Sequence, residues 1–221
     1  MMNELLFFAH CFIAMGSVVF ALKLGRQALI SLFVVYCLLS NIFIVKQIDL
    51  FGFHATAADI FTVGATLIIT LLQEYYGSQI TKKAIFTSLF VSVVYIIFSQ
   101  FHLWYQPNIF DTNHNHFVAL FSLAPRIVVS SLFVYWLTQH CACFCSSFLQ
   151  STSLKKYFLV RTYAVLFLTQ LIDTVLFSCL ALFGVVENIW SIIFVSYSVK
   201  VVVTIFAVFF VNILKNKINI D

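Results

Sequence analysis

The chain has 221 residues, 62% of them hydrophobic and only 9% charged, and its mean hydropathy is +1.05. No soluble domain of this size needs so much apolar surface for its core, which excludes a water-soluble enzyme or binding module and indicates an integral membrane protein. The formal charge of +4 sits in short turns between apolar segments, where it sets membrane orientation and does not call for nucleic acid.

The 27 Phe and two Pro fit helices packed side by side. Transmembrane strands would instead alternate apolar and polar residues in segments of about ten. Leu5 to Leu22 is the first apolar run, and its flank carries Glu4 and no Lys or Arg, unlike a cleaved signal peptide. Gln27 to Val45 follows the basic turn Lys23 to Arg26 and holds Asn41 in its last turn. Ala55 to Tyr76 is a third span, with Asp59 near its outer start as a candidate helix cap and Glu74 near its end. Ala84 to Trp104, entered through Lys82 and Lys83, is the fourth, and the polar loop Tyr105 to His116 comes next.

Phe117 to Cys145 is the fifth span, interrupted at Pro125 and Arg126. The proline frees the carbonyl of Phe121, which then needs a partner inside the protein. The basic turn Ser151 to Lys156 leads into Arg161 to Val186, the sixth span, with Asp173 near its middle. Ile189 to Leu214 is the seventh and carries Lys200.

The connections test this division independently of hydropathy. With the N-terminus outside, the inner turns hold Lys23, Arg26, Lys82, Lys83, Lys155, Lys156, Lys215 and Lys217, and the outer turns hold Lys46 alone. That asymmetry predicts seven spans, N-out and C-in.

Arg126, Asp173 and Lys200 stand roughly 13 to 20 Å from the outer ends of their spans, counted at about 1.5 Å per residue. That is near the middle of a hydrocarbon core about 30 Å thick. Facing lipid separately they would cost on the order of 8 to 10 kcal/mol, so they are expected to point inward and meet. A plain ion-pair lock is one reading. The other is a polar pocket, favoured by the surplus of hydrogen-bonding groups: Gln170, Asp173 and Thr174 share one helix face, and Tyr197 lies three residues before Lys200.

The six cysteines lie in apolar segments as small hydrophobes, and the Cys141, Cys143, Cys145 run lacks partners for a zinc site. No nucleophile, Walker, Rossmann or metalloprotease pattern is present, so neither a catalytic centre nor a cofactor is expected.

Several short motifs, in this order, resemble the queuosine precursor transporters, vitamin-uptake-like proteins of the bacterial inner membrane. They are SNIFIVK at Ser40 to Lys46, QEYYG at Gln73 to Gly77, Pro125-Arg126 with Ser130, Ser131 and Gln139, QLIDT at Gln170 to Thr174, and Tyr197 with Lys200. The resemblance implies an all-α integral membrane protein: a six-helix transporter core over residues 27–221, with residues 1–26 adding one N-terminal helix and its basic turn. It implies uptake of a 7-deazaguanine for tRNA modification, with the lipid bilayer and this small molecule as partners and no direct contact with nucleic acid. Whether identical copies assemble stays open. The residues that carry over are Asn41, Glu74, Arg126, Gln170, Asp173, Thr174, Tyr197 and Lys200. Three departures bear on substrate and coupling: Thr70 and Ala142 where the family commonly has Asp, and Thr62-Val63 where it has Phe-Pro. A substrate-binding subunit of a multi-component uptake system and a membrane redox or enzyme subunit are the competing readings.

Overall fold

The computed structural model describes residues 2–151 and 158–215. Among the described residues the α-helices, in order, are α1 (Met2–Leu24), α2 (Arg26–Phe43), α3 (Asp59–Trp104), α4 (His114–Phe121), α5 (Ala124–Ser151), α6 (Phe158–Phe177), which runs on into a π-helical turn, and α7 (Ile189–Lys215). Among the described residues, five stretches are long and apolar enough to cross a membrane: Met2–Leu24, Arg26–Phe43, Tyr75–Trp104, His114–Thr138 and Ala164–Leu182. Asp59–Gln73 and Ile189–Val202 are shorter apolar helices. The protein is therefore a multi-pass helical membrane protein. The basic turn Ser151 to Lys156 lies mostly outside the described residues.

The expectation of an all-helical chain needs one correction. Between α2 and α3, Gln47–Leu50 (β1) and Phe53–Thr56 (β2) pair antiparallel, with Asp49 opposite His54. Phe51 and Gly52 make the turn with positive φ, 52° and 81°, the two-residue form whose twist suits a hairpin. The third span consequently starts at Asp59, because Ala55 and Thr56 belong to β2. The hairpin also ties helix ends together. Asn3 Nδ2 donates to the Asp49 carbonyl at 3.1 Å, the Phe51 N–H to Glu4 Oε1 at 3.3 Å, and the His54 N–H to Ser191 Oγ of α7 at 2.9 Å.

The third and fourth expected spans are two helical segments of α3 joined directly at a sharp kink, Gly77, whose backbone is not helical (φ 79°, ψ 172°). That backbone region is nearly closed to residues with a Cβ and costs them about 1 to 3 kcal/mol. Gly77→Ala is thus expected to lower the melting temperature of the purified protein, as thermal unfolding will read out.

The fifth span is broken rather than bent: α4 ends at Phe121 and α5 begins at Ala124. Pro125 thereby stands in the first turn of α5, where its missing N–H removes no helical bond. The Phe121 carbonyl, left free because α4 ends there, accepts Gln100 Nε2 from α3 at 3.0 Å, an internal partner as expected.

Lipid tails are as apolar as Leu, so helices in a membrane associate through close packing and hydrogen bonds. The largest buried cluster joins Val18 and Leu22 of α1, Leu29, Phe33 and Tyr36 of α2, and Leu67, Ile68, Leu71 and Leu72 of α3. The α2 and α3 members recur at spacings of three and four, which puts each set on one face. Tyr36 fastens the cluster: its hydroxyl donates to the Ala14 carbonyl at 3.0 Å and lies 2.5 Å from Ser17 Oγ.

Candidate functional site

Polar groups from several helices meet around a cavity of about 320 Å³, within the range of about 300 to 1,000 Å³ usual for small-molecule pockets. From α2 come Cys37, Ser40 and Asn41; from α3, Asp59, Thr62 and Thr66; from α5, Ser131; from α6, Asp173; from α7, Ser196 and Lys200. The sequence dictates these faces. Cys37, Ser40 and Asn41 recur at spacings of three and four, as do Asp59, Thr62 and Thr66, and Ser196 is one turn before Lys200.

At the centre, Lys200 Nζ donates to Asp173 Oδ2 at 2.9 Å and to Thr174 Oγ1 at 3.0 Å. The Lys200 side chain is 14% exposed and that of Asp173 41%. The ammonium is enclosed, and the carboxylate faces the open cavity with Oδ1 making no hydrogen bond to a described residue. Thr174 passes its own proton to the Gln170 carbonyl at 2.8 Å, so its oxygen receives the lysine through a lone pair.

The same logic sets the polarity of the walls. Thr66 donates to the Thr62 carbonyl at 3.0 Å, Thr62 to Ala58 at 3.3 Å, and Ser40 to Cys37 at 2.8 Å. A hydroxyl whose proton is committed to its own helix offers only lone pairs. The described lining is consequently rich in acceptors, with Lys200, the Asn41 amide and the Ser131 hydroxyl as the main donors.

Of the residues singled out in the sequence, Asn41, Asp173 and Lys200 line the cavity, and Thr174 holds the lysine. Gln170 and Tyr197 are not among the described lining residues, and the Tyr197 hydroxyl donates to the Phe167 carbonyl at 3.4 Å. The side chain of Glu74 lies outside the described residues.

Arg126 departs from the expected convergence. Its Nε donates to the Leu180 carbonyl and a terminal nitrogen to that of Phe183, both at 2.8 Å. These carbonyls end α6 and the π-helical turn Ser178–Leu182, where helices leave acceptors unsatisfied and welcome a cation. The depth count assumed an unbroken helix from Phe117; because α5 starts at Ala124, Arg126 stands in a first turn instead.

Asp59 is the residue that the sequence reading undervalued. It does not cap α3, whose N-cap is Ala58 without a side-chain bond. It is buried, its Oδ1 accepts the Ser196 hydroxyl, and Oδ2 has no partner. Its face shared with Thr62 and Thr66 was the available signal.

The sequence profile of the family described as "Putative vitamin uptake transporter" matches residues 56–214, more than half of the chain. The chain belongs to this transporter family. The match takes in the whole of α3 to α6, nearly all of α7, and with them Asp59, Asp173 and Lys200. A relative from Bacillus subtilis (strain 168), named "Probable queuosine precursor transporter", is 24% identical over 169 residues, covering 75% of this chain and 74% of that protein. No solved structure gives a significant match. Membership makes this a membrane transporter and not an enzyme, which removes the redox-subunit reading.

Proposed function

We propose that the protein carries a 7-deazaguanine, a precursor of queuosine, inward across the bacterial inner membrane through the Asp173–Lys200 cavity. The observation that carries this reading is the excess of acceptors around that ion pair. A deazaguanine offers N–H donors along its amidine edge and on its five-membered ring, and a ring carbonyl beside them. Asp173 Oδ1 suits two adjacent donors, and Asn41 or Lys200 suits the carbonyl. Thr174 and Gln170 keep the lysine in position, and Arg126 clamps the end of α6 without touching the ligand. The name of the Bacillus relative points to the same class of substrate. Seven crossings, N-out and C-in, follow from the distribution of basic residues, with Asp59–Gln73 and α7 as the two crossings beyond the five long apolar stretches.

The test is uptake by the purified full-length chain in liposomes, with labelled 7-cyano-7-deazaguanine, 7-aminomethyl-7-deazaguanine and queuine offered in turn. Accumulation of at least one, displaced by the same compound unlabelled, is the expected result. Liposomes that take up none beyond protein-free controls would overturn the proposal. Uptake by the chain alone also separates a self-sufficient carrier from a subunit that needs an energising complex.

A further inference from the structure

Among the described residues, the cavity lining holds two carboxyl groups, Asp59 and Asp173, and one ammonium, Lys200. Lys200 is committed to Asp173 at 2.9 Å. Asp59 receives one hydrogen bond, from Ser196, and its second oxygen is enclosed without a partner. Lys200 faces Asp59 across the cavity but is hydrogen-bonded to Asp173 and Thr174, so no described cation bonds the Asp59 carboxyl directly. A carboxylate so removed from water is disfavoured, and a proton that arrives with the transported molecule relieves the cost. The enclosed oxygen leaves no room for a bulky organic cation. A metal ion would need about six oxygen ligands, whereas Oδ2 is enclosed and Ser196 is the one side chain among the described residues that bonds Asp59; the sodium-gradient arm of the test decides between the two cations.

We propose that Asp59 is the proton-coupling residue of this transporter: its Oδ2 takes a proton from the outer face and releases it inside on each cycle. The step balances. A hydronium ion outside gives up its proton, an O–H bond forms at Oδ2, and the same bond breaks to water inside, with no electron transferred. Ser196 keeps Oδ1 occupied, which directs the proton to Oδ2. Among the described residues, the other titratable and charged groups around the cavity are Cys37 from α2, Asp173 from α6 and Lys200 from α7. His10 of α1 packs on the Phe61 ring at 5.1 Å and does not line it. With Asp173 and Lys200 bonded to each other, Asp59 is the carboxyl among the described lining residues left to change charge.

This inference rests on the proposed transport, and its test has one arm that needs no substrate. Infrared titration of the protein in membranes is expected to show a protonated-carboxyl band that disappears as pH rises, is missing in Asp59→Asn and persists in Asp173→Asn. A wild type without the band, or a band that survives Asp59→Asn, overturns the assignment. In liposomes, an acid-outside gradient of about one pH unit should raise wild-type accumulation of the carried deazapurine up to about tenfold. Asp59→Asn should respond equally with and without the gradient. Stimulation by a sodium gradient in place of the pH gradient also overturns the proposal. Liposomes that carry no deazapurine at all would refute the transport reading alone, and the infrared arm would still decide the role of Asp59.

Discussion

Asp173→Asn is expected to lower uptake at least about a hundredfold while the protein still inserts. The substitution keeps the shape of the side chain and removes its charge. In the native cavity Oδ2 holds Lys200 at 2.9 Å and Oδ1 is open to the ligand. Hydrogen bonds to a charged acceptor contribute about 1.5 to 3 kcal/mol each. Losing two of them removes at least about 3 kcal/mol, which is roughly a hundredfold in binding. The amide also turns an N–H donor toward the lysine or toward the ligand's own donors. A second effect runs in parallel: Lys200, nearly enclosed, loses its counter-charge, and breaking such a pair on one side is more harmful than removing both partners. The double variant Asp173→Asn with Lys200→Met should therefore recover thermal stability relative to the single one without recovering uptake. Initial uptake rates normalised to inserted protein, with melting curves of the same samples, check both halves. A single variant that transports at the wild-type rate would remove Asp173 as the ligand's anchor.

The ion pair was legible because Asp173 and Lys200 are lone charges deep in apolar runs, where expense alone forces a partner. The two side chains do meet, at 2.9 Å. Arg126 does not join them: the break between Phe121 and Ala124 puts it in the first turn of α5, where it bonds the carbonyls of Leu180 and Phe183. Among the described residues, five of the expected spans coincide with stretches long and apolar enough to cross, although the fourth starts nearer Tyr75 than Ala84, and the Phe121 carbonyl found its partner because any orphaned acceptor in a membrane must. The hairpin was hidden by its size: two four-residue strands alternate too briefly to stand out, and Gly52 alone marked the turn. Asp59 was hidden by position. An acid in the first turn of a helix is ordinarily read as complementing the helix dipole, and only the arrival of Ser196 from α7, 137 residues later, shows that it points into the bundle.

Gly64→Ala should destabilise the fold by at least as much as the Gly77 substitution. α2 packs most extensively against α3, and the contact is closest where the Tyr36 ring lies over Gly64. A Cβ there would stand 2.6 Å from Tyr36 Cδ2 and closer still to Cε2. The ring cannot easily step aside. Its hydroxyl is bound to Ala14 and Ser17 of α1, and Phe61 meets it edge-on with centroids 5.7 Å apart. Forcing extra volume into such a contact costs about 1 to 3 kcal/mol, occasionally more, and here either α2 retreats or the hydroxyl bonds break. The purified variant is expected to melt several degrees below the wild type. Adding Tyr36→Leu should return part of the loss, a coupling that separates ring clash from any intrinsic cost of alanine. Asn41 lies on the same helix just over a turn beyond Tyr36, so a displaced α2 also carries a cavity residue with it. Uptake by Gly64→Ala should consequently fall even at temperatures where the protein remains folded. A variant that melts with the wild type would mean that the close approach of α2 to α3 is not what seats Asn41 in the cavity wall.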